Sequence, residues 1–292
     1  MQKIVETYFN IGHDASASII ITLIVFILGY LFTVIAFTLN NYFKRRSNRK
    51  VIFANYKSLN KSLKGQETGL LNTIASFDIV RNTPWVYNKA ELFQIAVFKE
   101  MGYAETFKTF FLGFENIIFF NKKKRALKNR AYIKLWANIN LVEFWSTKSF
   151  SDFYPILDKY NQFGDSRNNA VNRLRQFWES LFSNAKNDLP REYLEYIKKL
   201  DGLIVKFSKI PGDLRVTPFT AHRKLVLPIR ILNRQYPKLP FIRDFNDIAL
   251  EASTYYHEME LFLRHTRDQY KEYYFTIRTA RRLNKKIIQI LS

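Results

Sequence analysis

The stretch ASASIIITLIVFILGYLFTVIAFTLNNYF, Ala15–Phe43, runs 29 residues without a charge and leads into Lys44, Arg45, Arg46, Arg49 and Lys50. The 21 residues Ile19–Leu39 alone make a helix of roughly 31 Å at 1.5 Å rise per residue, which matches the hydrocarbon thickness of a bilayer. This pattern reads as an uncleaved membrane anchor. A secretory signal has a basic start, a shorter apolar region and a small-residue cleavage site. Here Lys3 stands against Glu6 and Asp14, and the run closes on Phe-Thr-Leu-Asn-Asn-Tyr-Phe.

Positive charge assigns the sides. Lys44, Arg45, Arg46, Arg49, Lys50, Lys57 and Lys61 follow the apolar run with no acid among residues 41–61, whereas only Lys3 precedes it. The positive-inside rule therefore places the C-terminal part in the cytoplasm of a cell (inner) membrane and residues 1–14 outside. No second segment qualifies as a span: Phe110–Phe120 is apolar but short, and Glu115 and Asn116 interrupt it. Within the anchor, Ser18, Thr22, Gly29, Thr33 and Ala36 form a stripe of small residues at helical spacing. Such a face lets two helix backbones approach closely, so the expected partner is a second copy of the chain.

Lys3 against Glu6 and Asp14 leaves residues 1–40 at −1, so of the whole-chain charge of +21 the other 252 residues carry +22. Abundant Lys, Asn, Ile, Phe and Tyr suggest an AT-rich coding bias, which weakens high pI as a sign of a nucleic-acid partner. With 27 Phe, 17 Tyr and 4 Trp against 9 Gly and 8 Pro, the cytoplasmic part can bury a core and does not read as disordered. The absence of cysteine excludes disulfides, thiolate zinc sites and a cysteine nucleophile.

Beyond the anchor, apolar residues recur at intervals of three and four, which predicts an all-α fold: one transmembrane helix, then a multi-helix bundle with a long C-terminal helix. Helices are expected over Val51–Leu63 and again after Gly65. Asn88 and Glu91 suggest a capping box for a helix that buries Leu92, Ile95, Ala96 and Val97 and ends near Gly102. Phe107–Phe120 reads as central core, and Lys122–Phe150 as an amphipathic helix carrying Ile133, Trp136, Ile139, Leu141 and Trp145. Further helices are expected from Gly164-Asp165-Ser166 and from Asp188-Leu189-Pro190. Five of the eight prolines (Pro211, Pro218, Pro228, Pro237, Pro240) mark a connector or elbow at 211–240. From Asp244 to Leu291 there is neither Gly nor Pro, and Phe245, Ile248, Ala252, Tyr255, Met259, Phe262, Thr266, Tyr270, Tyr273 and Ile277 hold one stripe. The organisation is thus 1–14 outside, 15–43 anchor, 44–210 helical domain, 211–240 connector and 241–292 a helical segment packing on the same domain.

Two basic clusters beyond the collar are candidate polyanion contacts: Lys122, Lys123, Lys124 and Arg125, and a stripe of Arg267, Lys271, Arg278, Arg282 and Lys285. Anionic headgroups or nucleic-acid phosphates suit both, and a solvated helix face is the plain alternative. The collar Lys44–Lys50 is held near headgroups by its position next to the anchor. Tyr255, Tyr256, Tyr270, Tyr273 and Tyr274 have the makings of a base-stacking row, but helical spacing assigns most of them to the core. Asp247, Glu251, Glu258 and His257 fall within reach of one face, yet their spacing is not diagnostic of a metal, and His257-Glu258 lacks the second histidine of a metalloprotease helix. Arg215 and His222 lie seven residues apart, but Pro218 breaks any helix that would pair them. No phosphate loop, nucleophile elbow or kinase signature occurs, so no cofactor or catalytic residue is nominated.

The expectation is a non-enzymatic, oligomeric scaffold, sensor or effector acting through anionic lipid and a cytosolic protein partner. Bacterial stress and defence systems use such architectures, an analogy of architecture alone. The alternatives are a membrane-tethered nucleic-acid binder and a metal-dependent enzyme centred on Glu251, His257 and Glu258.

Overall fold

The computed structural model describes residues 2–9, 12–80, 84–87, 89–111, 122–183 and 189–291. Among these the protein is all helical, without strands. In chain order the helices are α1 Gln2–Phe9, α2 His13–Ser76, α3 Phe93–Phe111, α4 Lys122–Ser151, α5 Phe153–Ser183, α6 Arg191–Ser208, α7 Gly212–Arg215, α8 Pro218–Ala221, α9 Leu227–Gln235 and α10 Ile242–Leu291. A long apolar N-terminal helix is followed by a bundle that ends in a long helix, as the periodicity predicts.

Two elements run longer than the punctuation suggests. α2 continues through Gly65 to Ser76, and α5 passes through Gly164 instead of starting there. A glycine inside a helix costs only about 1 kcal/mol relative to alanine. Apolar burial on the same helices offsets this, with Leu63 and Leu70 near Gly65, and Phe153, Ala170 and Leu174 on α5. Gly102 ends one helical run, as the sequence suggests, and a second run follows directly within α3 after this kink at φ 69° and ψ 161°. Asn88, Asp188 and the 112–120 part of the Phe107–Phe120 segment lie outside the described residues.

The chain divides into two compact units. The first comprises Met1–Leu59, Phe93–Trp136 and Lys285–Ser292. Its core gathers Ile52, Tyr56 and Leu59 of α2, Ile95, Phe98, Phe110 and Phe111 of α3, and Ala131, Tyr132 and Leu135 of α4. Aromatic edges organise it: Tyr56 meets Phe98 at 5.0 Å, and Tyr132 lies among Tyr103, Phe107 and Phe111. The Tyr132 hydroxyl, 2.6 Å from Thr106 Oγ1, donates to the Tyr103 carbonyl, so its polar end is satisfied beside the Gly102 break.

The second unit comprises Asn60–Leu92 and Ala137–Asn284. One core cluster joins Leu174 and Leu181 of α5, Tyr196 and Leu200 of α6, Ile229 and Leu232 of α9, and Phe245 and Ala249 of α10. Polar pins fix neighbouring helices. Tyr270 donates to the Ser149 carbonyl at 2.8 Å, Asn138 donates to the Ala280 carbonyl at 3.0 Å and to Asn284, and the largely buried Arg281 pairs with Glu67. Burial raises the pKa of Tyr196 and Tyr270 well above the ordinary phenol value, so both stay neutral donors.

The proline-rich stretch 211–240 folds as short helical pieces that supply core residues Leu225, Val226, Ile229 and Leu232. Between α8 and α9, His222–Val226 forms one π-helical turn, with the Leu227 amide donating to the His222 carbonyl. Pro228 explains it. Its ring has no amide proton and would collide with the Lys224 carbonyl in a regular α-helix, and the wider turn relieves that clash.

Gly102 occupies backbone space essentially reserved for glycine, although no neighbouring atom would meet an added Cβ. Gly102→Ala is expected to destabilise the protein by about 1–3 kcal/mol through backbone strain alone. Chemical denaturation should show a lower midpoint with an unchanged slope.

Candidate membrane-anchoring segment and basic surfaces

One helix, α2, is long and apolar enough to cross a membrane, with an 18-residue window of mean hydropathy 2.8. Nothing in the described chain covers that window. Phe26 and Phe32 are each 74% exposed, and every residue from 21 to 40 is exposed. An uncovered apolar surface of this extent is rare in soluble monomers, because apolar area left in water costs roughly 25 cal/mol per Å². Threonine hydroxyls in the segment need no outside partner. Thr22 donates to the Ser18 carbonyl at 2.8 Å, Thr33 to Gly29 at 2.8 Å and Thr38 to Val34 at 2.7 Å. Each threonine thus enters an apolar medium with its proton satisfied. Ser18, Thr22, Gly29, Thr33 and Ala36 are all exposed on α2.

The collar continues the same helix. Lys44 lies five residues past Leu39, about 8 Å along the axis, which is about one Debye length at physiological salt. Tyr42 and Phe43 pack edge to face at 5.7 Å where apolar sequence gives way to basic, the position favoured by interfacial aromatics. Arg49 Nε donates to the Thr109 carbonyl at 3.0 Å.

Within the first unit the collar meets the second basic cluster. The Lys128 ammonium is held below the ordinary lysine pKa by burial first, then by the positive charges of Arg49 and Lys124. Residues some 80 positions apart in sequence therefore share one positive field. Lys122, Lys123, Lys124 and Arg125 are exposed at the start of α4, where the helix dipole disfavours cations. Glu105 is the nearby counterweight: Lys108 lowers its pKa most, and Lys44 adds to the effect.

No known protein family, curated protein or solved structure matches this chain.

The stripe on α10 is used differently along its length. Arg267 donates to the Phe77 carbonyl, Lys271 pairs with Asp268 at 2.8 Å, and Arg278 lies over the Tyr274 ring at 5.7 Å. Arg282 and Lys285 are exposed. Tyr256, Tyr270 and Tyr273 are buried and present no open stacking row. Among the described residues no group of three His, Asp or Glu is placed to hold a metal ion. Glu251 pairs with Arg173, and His257 Nδ1 faces Glu260 at 3.7 Å, so the acids near His257 do not converge on it.

The periodicity of α10 does not reveal a clasp around His222. Its Nε2 lies 3.0 Å from Ser253 Oγ, which accepts from Arg230 Nη1 at 3.0 Å, and its ring stacks on Tyr256 at 4.1 Å. Burial pushes the His222 pKa down to about 4, helped by His257 and Arg230 and opposed by Glu260. Ser253 is buried and engaged on both sides, so the group fastens the π turn to α10 and presents no free nucleophile. The sequence signal for the turn is Pro228 inside an otherwise helical stretch.

The folded pKa lies below that of free imidazole, so this contribution to stability is complete above about pH 6.5 and is lost as pH falls towards 4. His257, Arg230 and Glu260 are the charged or titratable neighbours that act on the ring, and Tyr256 stacks on it. The thermal midpoint of the wild type should fall more between pH 6.5 and 4.5 than that of His222→Gln, which lacks the imidazole but keeps its neighbours.

Proposed function

We propose that this chain is a single-pass membrane protein whose N-terminal segment lies outside and whose helical part lies in the cytoplasm, where it acts as a non-enzymatic oligomeric scaffold, sensor or effector. The observation that carries the reading is the uncovered apolar length of α2 running directly into the basic collar. Acyl chains cover the first, and anionic headgroups match the second, each Lys or Arg near the surface contributing about 1 kcal/mol. Lys44, Arg45, Arg46, Arg49 and Lys50, joined by the cluster at 122–125, form the lipid-facing charge. Ser18, Thr22, Gly29, Thr33 and Ala36 form the contact between copies, since small side chains permit close packing where no hydrophobic drive exists between helices. A cytosolic protein partner then reads the bundle.

A cysteine-free chain makes the topology directly testable. Thr7→Cys should react with a membrane-impermeant maleimide in intact cells, whereas Lys57→Cys should react only after permeabilisation. The reverse pattern overturns the orientation, and recovery of both variants in the soluble fraction overturns the anchor.

Self-association is tested separately by mass photometry of the full chain in nanodiscs. Gly29→Leu combined with Thr33→Leu should convert oligomers to monomers. Unchanged oligomers would remove the stripe as the contact. Nucleic acid retained in the same particles, with binding that weakens by about 0.9 log units per phosphate contact per log unit of salt, would favour the tethered nucleic-acid reading instead.

A further inference from the structure

Arg167 sits on the buried side of α5, 8% exposed, in line with the core residues Ala170 and Leu174. Its Nη2 donates to Asn168 Oδ1, while Nε and Nη1 are buried without a hydrogen-bond partner. No carboxylate among the described residues pairs with it, and its nearest titratable neighbour is the Tyr160 phenol. Burial lowers its pKa, although arginine stays charged at any physiological pH. An unpaired buried guanidinium is among the costliest arrangements a core can hold, because desolvation is not offset by an opposite charge.

The same residue lines a cleft of about 710 Å³ within the second unit. Arg175 and Arg215 add two further guanidinium groups to the lining, and Trp178 and Phe207 add flat apolar surface. Arg175 donates to Glu179 at 2.7 Å and Arg215 to the Ser208 carbonyl at 3.1 Å, so three cations surround the space against one acid. The volume falls within the range of small-molecule sites, and the lining combines apolar walls with a few convergent charges. Guanidinium groups suit phosphate because several donors can meet its oxygens.

We propose that this cleft binds a small organic phosphate, with the phosphate on Arg167 and the apolar or aromatic body against Trp178 and Phe207. A dianion answers the excess positive charge that Arg167, Arg175 and Arg215 bring to the cleft. A phosphate ester suits the space better than bare phosphate, since aromatic surface forms part of the lining. The ester can be a soluble metabolite or a lipid headgroup, and the two sources share this chemistry.

The test is 19F NMR of full-length protein carrying fluorotryptophan, held in zwitterionic nanodiscs, with the Trp178 resonance assigned from Trp178→Phe. Titration with 1-naphthyl phosphate should shift that resonance, and 1-naphthol or inorganic phosphate should shift it at least tenfold less effectively. Arg167→Met should weaken the shift at least tenfold, and Arg215→Gln, at the cleft lining, should weaken it by a smaller factor. Replacing Lys122, Lys123, Lys124 and Arg125 by Gln should leave it unchanged, which separates the cleft from the basic surface. A shift produced by phosphatidic acid in the nanodisc without added probe identifies a headgroup as the source, and a shift requiring the soluble probe identifies a metabolite. No shift at millimolar probe, an equal response to 1-naphthol, or an equal response from a folded Arg167→Met protein overturns the proposal. Should Arg167→Met fail to fold, an unchanged response in Arg215→Gln together with an equal response to 1-naphthol does so.

Discussion

Buried positions on α10 follow intervals of three and four from end to end: Ile242, Phe245, Ala249, Ala252, Tyr256, Met259, Leu263, Thr266, Tyr270, Tyr273, Ile277, Ala280, Asn284, Ile287 and Leu291. This is a repeat of 3.5 residues, while a straight α-helix turns every 3.6. The mismatch rotates such a stripe by about 20° per heptad, or roughly 120° over the six heptads from Ile242 to Asn284. Helices can stay against it only by winding with it, so the packing of the second unit depends on this register. α2 carries the same spacing through Ile52, Tyr56, Leu59, Leu63, Gln66, Leu70 and Thr73, and buried Phe77 just past its end continues it.

Polar members of these stripes restrict which register is allowed. Asn284 meets Asn138, and Tyr270 reaches the Ser149 carbonyl, and neither contact survives a slip of one turn. A purely apolar stripe would slide at low cost, whereas a buried amide displaced from its partner costs about 1–3 kcal/mol. This is how a single buried Asn sets alignment in coiled coils. The Arg281–Glu67 pair acts in the same way, with both charges largely removed from water.

Reading hydrophobicity alone recovered the long apolar N-terminal helix and the helical class, because both depend on long runs in which single residues matter little. It recovered the α10 stripe only in part. Phe245, Ala252, Met259, Thr266, Tyr270, Tyr273 and Ile277 are buried, but Ile248, Tyr255 and Phe262 lie at its margin, and the small or polar Ala249, Ala280 and Asn284 complete it. On α4, Ile133 and Leu141 are 56% and 41% exposed while their neighbours Tyr132 and Val142 are buried. Where two apolar residues are adjacent, periodicity cannot choose between them; the pocket of Tyr103, Phe107 and Phe111 around Tyr132 does. Arg167 was illegible for a related reason: flanked by Ser166 and Asn168, it looks like any solvated arginine, and only the packing around it makes it a buried charge.

The excess positive charge is handled in two physically different ways. Arg281 on Glu67 and Arg173 on Glu251 are neutralised by carboxylates and add little to the long-range field. Arg267 on the Phe77 carbonyl and Arg167 on the Asn168 amide are bonded to neutral oxygens. A neutral acceptor satisfies geometry and leaves the whole charge in place, so each of these guanidinium groups still attracts an anion. At Arg167, buried on the lining of a cleft, screening by bulk salt is weak, so its charge acts there at close to full strength.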